Sequence, residues 1–428
     1  MWPASPARRI SRLLPRAWAS PALRATAALG AGGAGFAIGN LLLARALPAA
    51  TYGRIALAIA FIQIGAQLGP AGINGVINRQ HLDTGPAILS RAAVTTALAS
   101  FALLALGWLL YRVPISLLLL IGASASAGSL GLVASAHYQS RQRFGPSLAL
   151  SQSPNMALLA VGAFAIVASA MGEMGLLAVL AVGYLVPAAV GWITILRRRR
   201  VVAGQGSEAF RWSEALSYLG VQMAGAMLVQ AERLALPRVL SFEALALFGV
   251  LAATAGAPFR MFQSGVGYTT VPRLSASRSI RERRRILLSE AALICTIAVS
   301  LGLILIPLTP PIVRILLAGR YDVSRTLTIA VVLAGLIKVL SSFSVSAAAA
   351  LTPSRELGVL NWLGWIAFGT ALAGGVLGAH WGLIGVIYGV AVGWALRAVV
   401  AGYLAARYFG LALPGRPPIT ELTAPPHL

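Results

Sequence analysis

Residues Leu29 to Asn40 read LGAGGAGFAIGN. Within them Gly30, Gly32 and Gly35 fall on the spacing G-x-G-x-x-G. On a strand–turn–helix unit that spacing cradles a dinucleotide pyrophosphate. Here basic residues precede the glycines, and apolar residues continue on both sides long enough to cross a membrane. A membrane helix has another use for them. Gly35-x-x-x-Gly39 is the small-residue spacing that lets two helices approach closely in lipid. Asn40 then sets one amide near the outer end of that helix.

Composition favours the membrane reading for the whole chain. Of its 428 residues, 58% are hydrophobic and 11% charged, and the mean hydropathy is +0.81. Soluble domains carry about 25% charged residues to cover their surfaces. The 34 Lys and Arg against 11 Asp and Glu do not form a nucleic-acid face. They fall in short clusters between apolar runs, as loops of a membrane protein do.

A spanning helix needs about 20 apolar residues. Twelve such stretches are predicted. Six lie near 23–44, 53–77, 88–111, 114–137, 147–171 and 174–196. Six more lie near 213–237, 243–270, 286–309, 324–351, 356–377 and 381–406. The expected fold is all-α and polytopic, with about 12 transmembrane helices in two six-helix lobes around a central cavity. The predicted divisions are a basic tail (1–22), a first lobe (23–196), a basic linker (197–212), a second lobe (213–409) and a proline-rich, disordered tail (410–428).

Counting arginines gives an orientation. With the N-terminus inside, 23 arginines fall inside, 7 outside and four basic residues within spans. The positive-inside rule then puts both termini in the cytoplasm. The heaviest inner loop, RRRRVVAGQGSEAFRW, separates spans six and seven. A faint echo supports two like halves. LARALPAATYGRIALA joins spans one and two, and LPRVLSFEALALFGVLA joins seven and eight. Each holds Arg-x-Leu, a polar break, then an aromatic residue and glycine: Tyr52-Gly53 and Phe248-Gly249.

Enzyme chemistry is not legible. No P-loop and no G-x-S-x-G elbow occur, and the four histidines have no ligand spacing to one another. The single cysteine, Cys295, cannot form an intrachain disulfide. No catalytic residue, metal or cofactor is assigned.

Charges within spans carry the functional information. Arg260, in PFRMFQSG, and Lys338, in GLIKVLSS, fall near mid-membrane. There an Arg or Lys costs about 2.5–3.5 kcal/mol even on the milder scale. Each either faces a cavity or snorkels to an interface. The acids offer no deep partner, so the expected counter-ion is an anionic substrate. Glu232 is the one acid inside a span, near its outer end. On a regular helix Gln222, Gln230 and Arg233 share an arc of about 80°. That face either contacts sugar or phosphate or makes helix–helix hydrogen bonds. Glu232 points away from the arc, toward a partner such as Arg238.

Four segments together resemble the polysaccharide, O-antigen-type, repeat-unit flippases of the multidrug/oligosaccharidyl-lipid/polysaccharide exporter superfamily. They are LLLARALPAATYGRIALA (41–58), LVQAERLALPRVLSFEALALFGVLAA (228–253), ILLAGRYDVSRTLTIAVVLAGLIKVLSS (315–342) and HWGLIGVIYGVAVGWALRA (380–398). The resemblance covers about residues 23–409. It implies an inner-membrane flippase that carries a polyprenyl-pyrophosphate-linked oligosaccharide across the lipid bilayer by alternating access. Polysaccharide polymerase or assembly proteins are its implied partners, and no nucleic acid is. In such a fold Arg24, Asn40, Gln222, Gln230, Arg233, Arg260 and Lys338 are expected to meet cargo, with Glu232 as a possible ion-coupling group. A cation-coupled drug or metabolite antiporter, a peptidoglycan-precursor flippase, and a non-transporting scaffold, glycosyltransferase or ligase of glycan assembly stay open as alternatives.

Overall fold

A computed structural model describes residues 21–409, apart from 81, 83, 169–170, 199–209, 278 and 353–356. The described part is helical throughout. In chain order the helices are α1 (Pro21–Ala46), α2 (Ala49–Leu68), α3 (Ile73–Gln80), α4 (Pro86–Tyr111), α5 (Ile115–Ser140), α6 (Phe144–Val167), α7 (Glu173–Arg198), α8 (Trp212–Val229), α9 (Ala231–Val239), α10 (Phe242–Leu251), α11 (Ala257–Ala276), α12 (Ile280–Leu316), α13 (Arg325–Leu351), α14 (Leu357–Gly378) and α15 (Gly382–Tyr408). A π-helical turn, Ala252–Gly256, joins α10 to α11.

Nine segments of the described chain are long and apolar enough to cross a bilayer by length and composition alone. The last of these, Gly358–Tyr408, holds two helices, α14 and α15. With α1 and the α8–α9 pair, twelve spans result. Large apolar side chains face outward where lipid would lie: Phe101 is 73% exposed and Trp362 70%. In water such patches would drive aggregation; in hydrocarbon they are the normal surface.

The twelve spans form two lobes. In the first, α5 packs on α2, α4, α6 and α7, and α1 lies along α6. In the second, α15 packs on α13 and α14, and α13 on α11 and α12. The lobes meet where α2 touches α8, α9 and α10, and where α1 touches α10, α11 and the π-helical turn. Residues 1–20 of the predicted basic tail, most of the 197–212 linker and the 410–428 tail lie outside the described residues.

The glycines of the opening stretch set the α1–α6 crossing. A Cβ on Gly39 would stand 2.7 Å from the Leu158 carbonyl, and one on Gly162 would stand 2.6 Å from the Gly39 carbonyl. Backbone therefore touches backbone. Gly30 has nothing within 4 Å, so only part of the G-x-G-x-x-G pattern is used for packing.

The echoed loop motifs also meet. A Cβ on Gly53 would lie 2.0 Å from the Phe242 carbonyl oxygen, and one on Gly249 2.7 Å from Tyr52 Oη. Each glycine thus admits a neighbour from the opposite lobe.

Two spans are irregular. The seventh breaks at Gln230, where φ is −99° and ψ is 4°. The eighth carries the π-helical turn. π turns widen a helix locally and recur at functional sites. Elsewhere helix starts follow local chemistry. Ser241, Ser279 and Ser324 each accept a backbone N–H three residues on, from Ala244, Glu282 and Leu327. These bonds satisfy donors a helix start leaves open.

Candidate functional site

The broken seventh span divides two cavities. The larger, about 500 Å³, lies between the first lobe and α8, toward the end where the arginine-rich loops emerge. Polar side chains on its wall include Gln63, Gln67, Ser151, Asn155, Gln222 and Gln230. All are amides or hydroxyls. The smaller, about 60 Å³, lies within the second lobe. Glu232, Arg233, Arg260, Gln263, Lys338 and Trp394 line it. Among the described residues, a neutral polar chamber thus adjoins a small pocket with three cations and one carboxylate.

Gln230 stands at the partition. Its Nε2 donates to Gln63 Oε1 at 2.6 Å, tying the lobes together. Its Oε1 accepts from an Arg233 guanidinium nitrogen at 3.3 Å. One glutamine therefore links the chamber wall to the charged pocket.

Phe36, on α1, faces the two arginines. The Arg233 guanidinium carbon lies 5.4 Å from its ring centroid, and that of Arg260 lies 5.1 Å away. Cation–π attraction at this range holds a guanidinium within an apolar wall. Spans one, seven and eight thus converge on a shared cationic point, and Arg233 is 3% exposed.

Lys338 sits differently from its expected place. Its ammonium pairs with Glu232, which is 2% exposed, and its Nζ lies 5.8 Å from the Trp394 ring centroid. The expectation that the deep cations lack a deep anion is corrected for Lys338. So is the expectation that Glu232 turns away toward Arg238. The break at Gln230 interrupts the regular turn of about 100° per residue on which that projection depends. After the break, Glu232 and Arg233 both line the second-lobe pocket.

The other expected residues are placed as follows. Gln222 lines the chamber, and its Oε1 is buried without a hydrogen-bond partner. Arg260 lines the small pocket. Asn40 lines neither cavity. Its Nδ2 donates to the Phe36 carbonyl at 2.8 Å, and its Oδ1 accepts from Tyr52 Oη at 3.2 Å. Arg24 belongs to the first turn of α1, and its side chain lies outside the described residues. Sequence reasoning passed over Gln63, Gln67, Ser151 and Asn155. Glutamine and asparagine within apolar spans were the available signal, since an amide in hydrocarbon needs a partner or a cavity.

The end opposite the arginine-rich loops is joined across the lobes. Arg45 donates to the Leu316 carbonyl at 3.2 Å, and Arg320 donates to the Arg45 carbonyl at 2.6 Å. Tyr111 Oη donates to the Leu234 carbonyl at 2.6 Å. All three bonds join the first lobe to the second at that end.

No protein-family model and no curated protein matches this sequence. Solved structures do match. The lipid II flippase MurJ, in an inward closed conformation, is 16% identical with a TM-score of 0.62; the match covers 90% of this chain and 86% of MurJ. An inward-facing multidrug resistance MATE family transporter of the MOP superfamily is 13% identical with a TM-score of 0.50, over 88% of this chain and 94% of that one. A MATE in a bent conformation is 14% identical at 0.50, over 90% and 94%. The chain shares the overall fold of these solved proteins. At these identities the likeness speaks for the fold: a multi-pass, two-lobed membrane protein whose solved neighbours are transporters and a flippase, not enzymes.

Proposed function

We propose that this chain is a flippase for a polyprenyl-pyrophosphate-linked oligosaccharide, serving cell-surface polysaccharide synthesis such as O-antigen or exopolysaccharide. The observation that carries the proposal is the adjacency of the two cavities. Amides and hydroxyls suit a glycan, whose hydroxyls both donate and accept. Buried guanidiniums suit a pyrophosphate, which they bind in bidentate fashion. The cargo class has both parts joined covalently.

The mechanism is alternating access. The chamber admits the headgroup from the cytoplasmic side while the prenyl chain stays in lipid between the lobes. Arg233 and Arg260 draw the pyrophosphate. The charged pocket, at about 60 Å³ against about 500 Å³ for the chamber, must widen to receive it. The break at Gln230 and the π-helical turn are the places where spans seven and eight bend most easily. Parting of the Arg45–Leu316, Arg320–Arg45 and Tyr111–Leu234 bonds then opens the far side. Residues 23–196 and 213–409 are the rocking units, in the inner membrane with both termini cytoplasmic, beside polymerase or assembly proteins.

An organic-cation antiporter of the same fold needs a carboxylate open to the cargo. The carboxylate in the pocket, Glu232, is engaged by Lys338, which supports the anionic cargo over the cationic one. The test is reconstitution in proteoliposomes with a fluorescent lipid-linked oligosaccharide and a membrane-impermeant quencher. Protein-dependent loss of the protected fraction is expected. Transport of organic cations with no flipping would overturn the proposal.

A further inference from the structure

We infer that the glycan carried is uncharged: the chamber selects neutral sugars and discriminates against those bearing carboxylates or amines. This rests on the flippase reading above and deepens it. The two cavities divide polar chemistry sharply. Among the described residues lining the chamber there is no Asp, Glu, Lys, Arg or His. The charged pocket a helix away concentrates three cations and one carboxylate.

Charge is therefore provided for one part of the cargo and withheld from the other. In a chain with 34 Lys and Arg, a chamber of about 500 Å³ whose described lining carries no arginine is a specific property of the site. A carboxylate moved into it loses part of its hydration and gains no cation in return. It also lies near the bound pyrophosphate and is repelled by it. A protonated amine finds no acid among the described lining residues.

Neutral hydroxyls fare differently. Gln67 and Gln222 make no side-chain hydrogen bond with other described residues, and Gln222 Oε1 is buried without a partner. An amide presents one carbonyl oxygen and two N–H donors. Adjacent sugar hydroxyls match both ends of it. Filling the buried Gln222 acceptor with a hydroxyl donor removes the penalty of leaving it unmade.

The experiment compares two synthetic lipids in the proteoliposome flipping assay. They share prenyl chain, pyrophosphate and oligosaccharide length; in one, a hexuronic acid replaces a neutral hexose. The wild-type protein is expected to flip the neutral lipid at least tenfold faster. Gln222→Arg, which adds a cation to the chamber wall, is expected to narrow that ratio several-fold by raising the acidic lipid's rate. Equal wild-type rates would overturn the inference while leaving the flippase reading intact. Flipping of neither lipid by folded protein would overturn both. The wild-type ratio decides the matter alone if Gln222→Arg does not fold.

Discussion

Lys338 on α13 pairs with Glu232 on α9, joining the tenth and seventh spans inside the second lobe. Removing one partner strands the other in a low-dielectric site, which destabilises by about 3–5 kcal/mol where such pairs have been broken. Lys338→Met and Glu232→Gln singly should each lower the unfolding temperature in detergent. The double variant should recover most of the loss. If the double variant is as unstable as the sum of the singles, the pair is not the stabilising unit.

The paired arginines around Phe36 are predicted to act on cargo more than on folding. Arg260→Ala, at matched protein levels, should cut flipping by about tenfold or more, as loss of a charge-assisted contact worth 1.5–3 kcal/mol would. Phe36→Leu removes the ring that both guanidiniums face and should give a smaller loss. Unchanged glycan export in the Arg260→Ala strain would remove that residue from the site.

The opening glycines separate by position. Gly39→Val pushes a side chain into the Leu158 backbone and should destabilise by about 1–3 kcal/mol or more. Gly30→Ala meets nothing within 4 Å and should be silent or mildly stabilising. Thermal unfolding of the purified variants checks both. Equal effects at the two positions would contradict the close α1–α6 crossing.

The joined far end predicts a gate. On a Cys295→Ser background, Gln67→Cys places one thiol on the chamber wall. With Arg45→Ala and Arg320→Ala added, a charged thiol reagent applied from the side opposite the arginine-rich loops should label it several-fold faster. No change in labelling would show that the bonds between Arg45, Leu316 and Arg320 do not hold that side closed.

Much of the fold was legible because lipid imposes a simple rule: about 20 apolar residues per span, with arginines at the loops. The echo around Tyr52-Gly53 and Phe248-Gly249 was also legible, and the structure packs those motifs together. The site was less so. Helical projection assumes a regular helix, and the seventh span stops being one at Gln230. No helix-breaking residue marks that position; the partly buried Gln63–Gln230 bond, 167 residues apart, accompanies it. The Glu232–Lys338 pair, 106 residues apart, is likewise a tertiary relationship that no local pattern encodes. Gln222 and Gln230 were found on the seventh span, but Gln63, Gln67, Ser151 and Asn155 of the chamber wall were overlooked because search by charge finds only charge.

The central claim is that the charged pocket takes the pyrophosphate while the chamber takes the glycan. Its most direct test is to measure flipping of two lipids that carry the same neutral oligosaccharide, one through pyrophosphate and one through an uncharged glycosidic link. The pyrophosphate lipid should move at least tenfold faster, and the advantage should vanish in Arg233→Ala/Arg260→Ala protein. Equal rates for the two lipids in the wild-type protein, or an advantage that survives the double substitution, would contradict it.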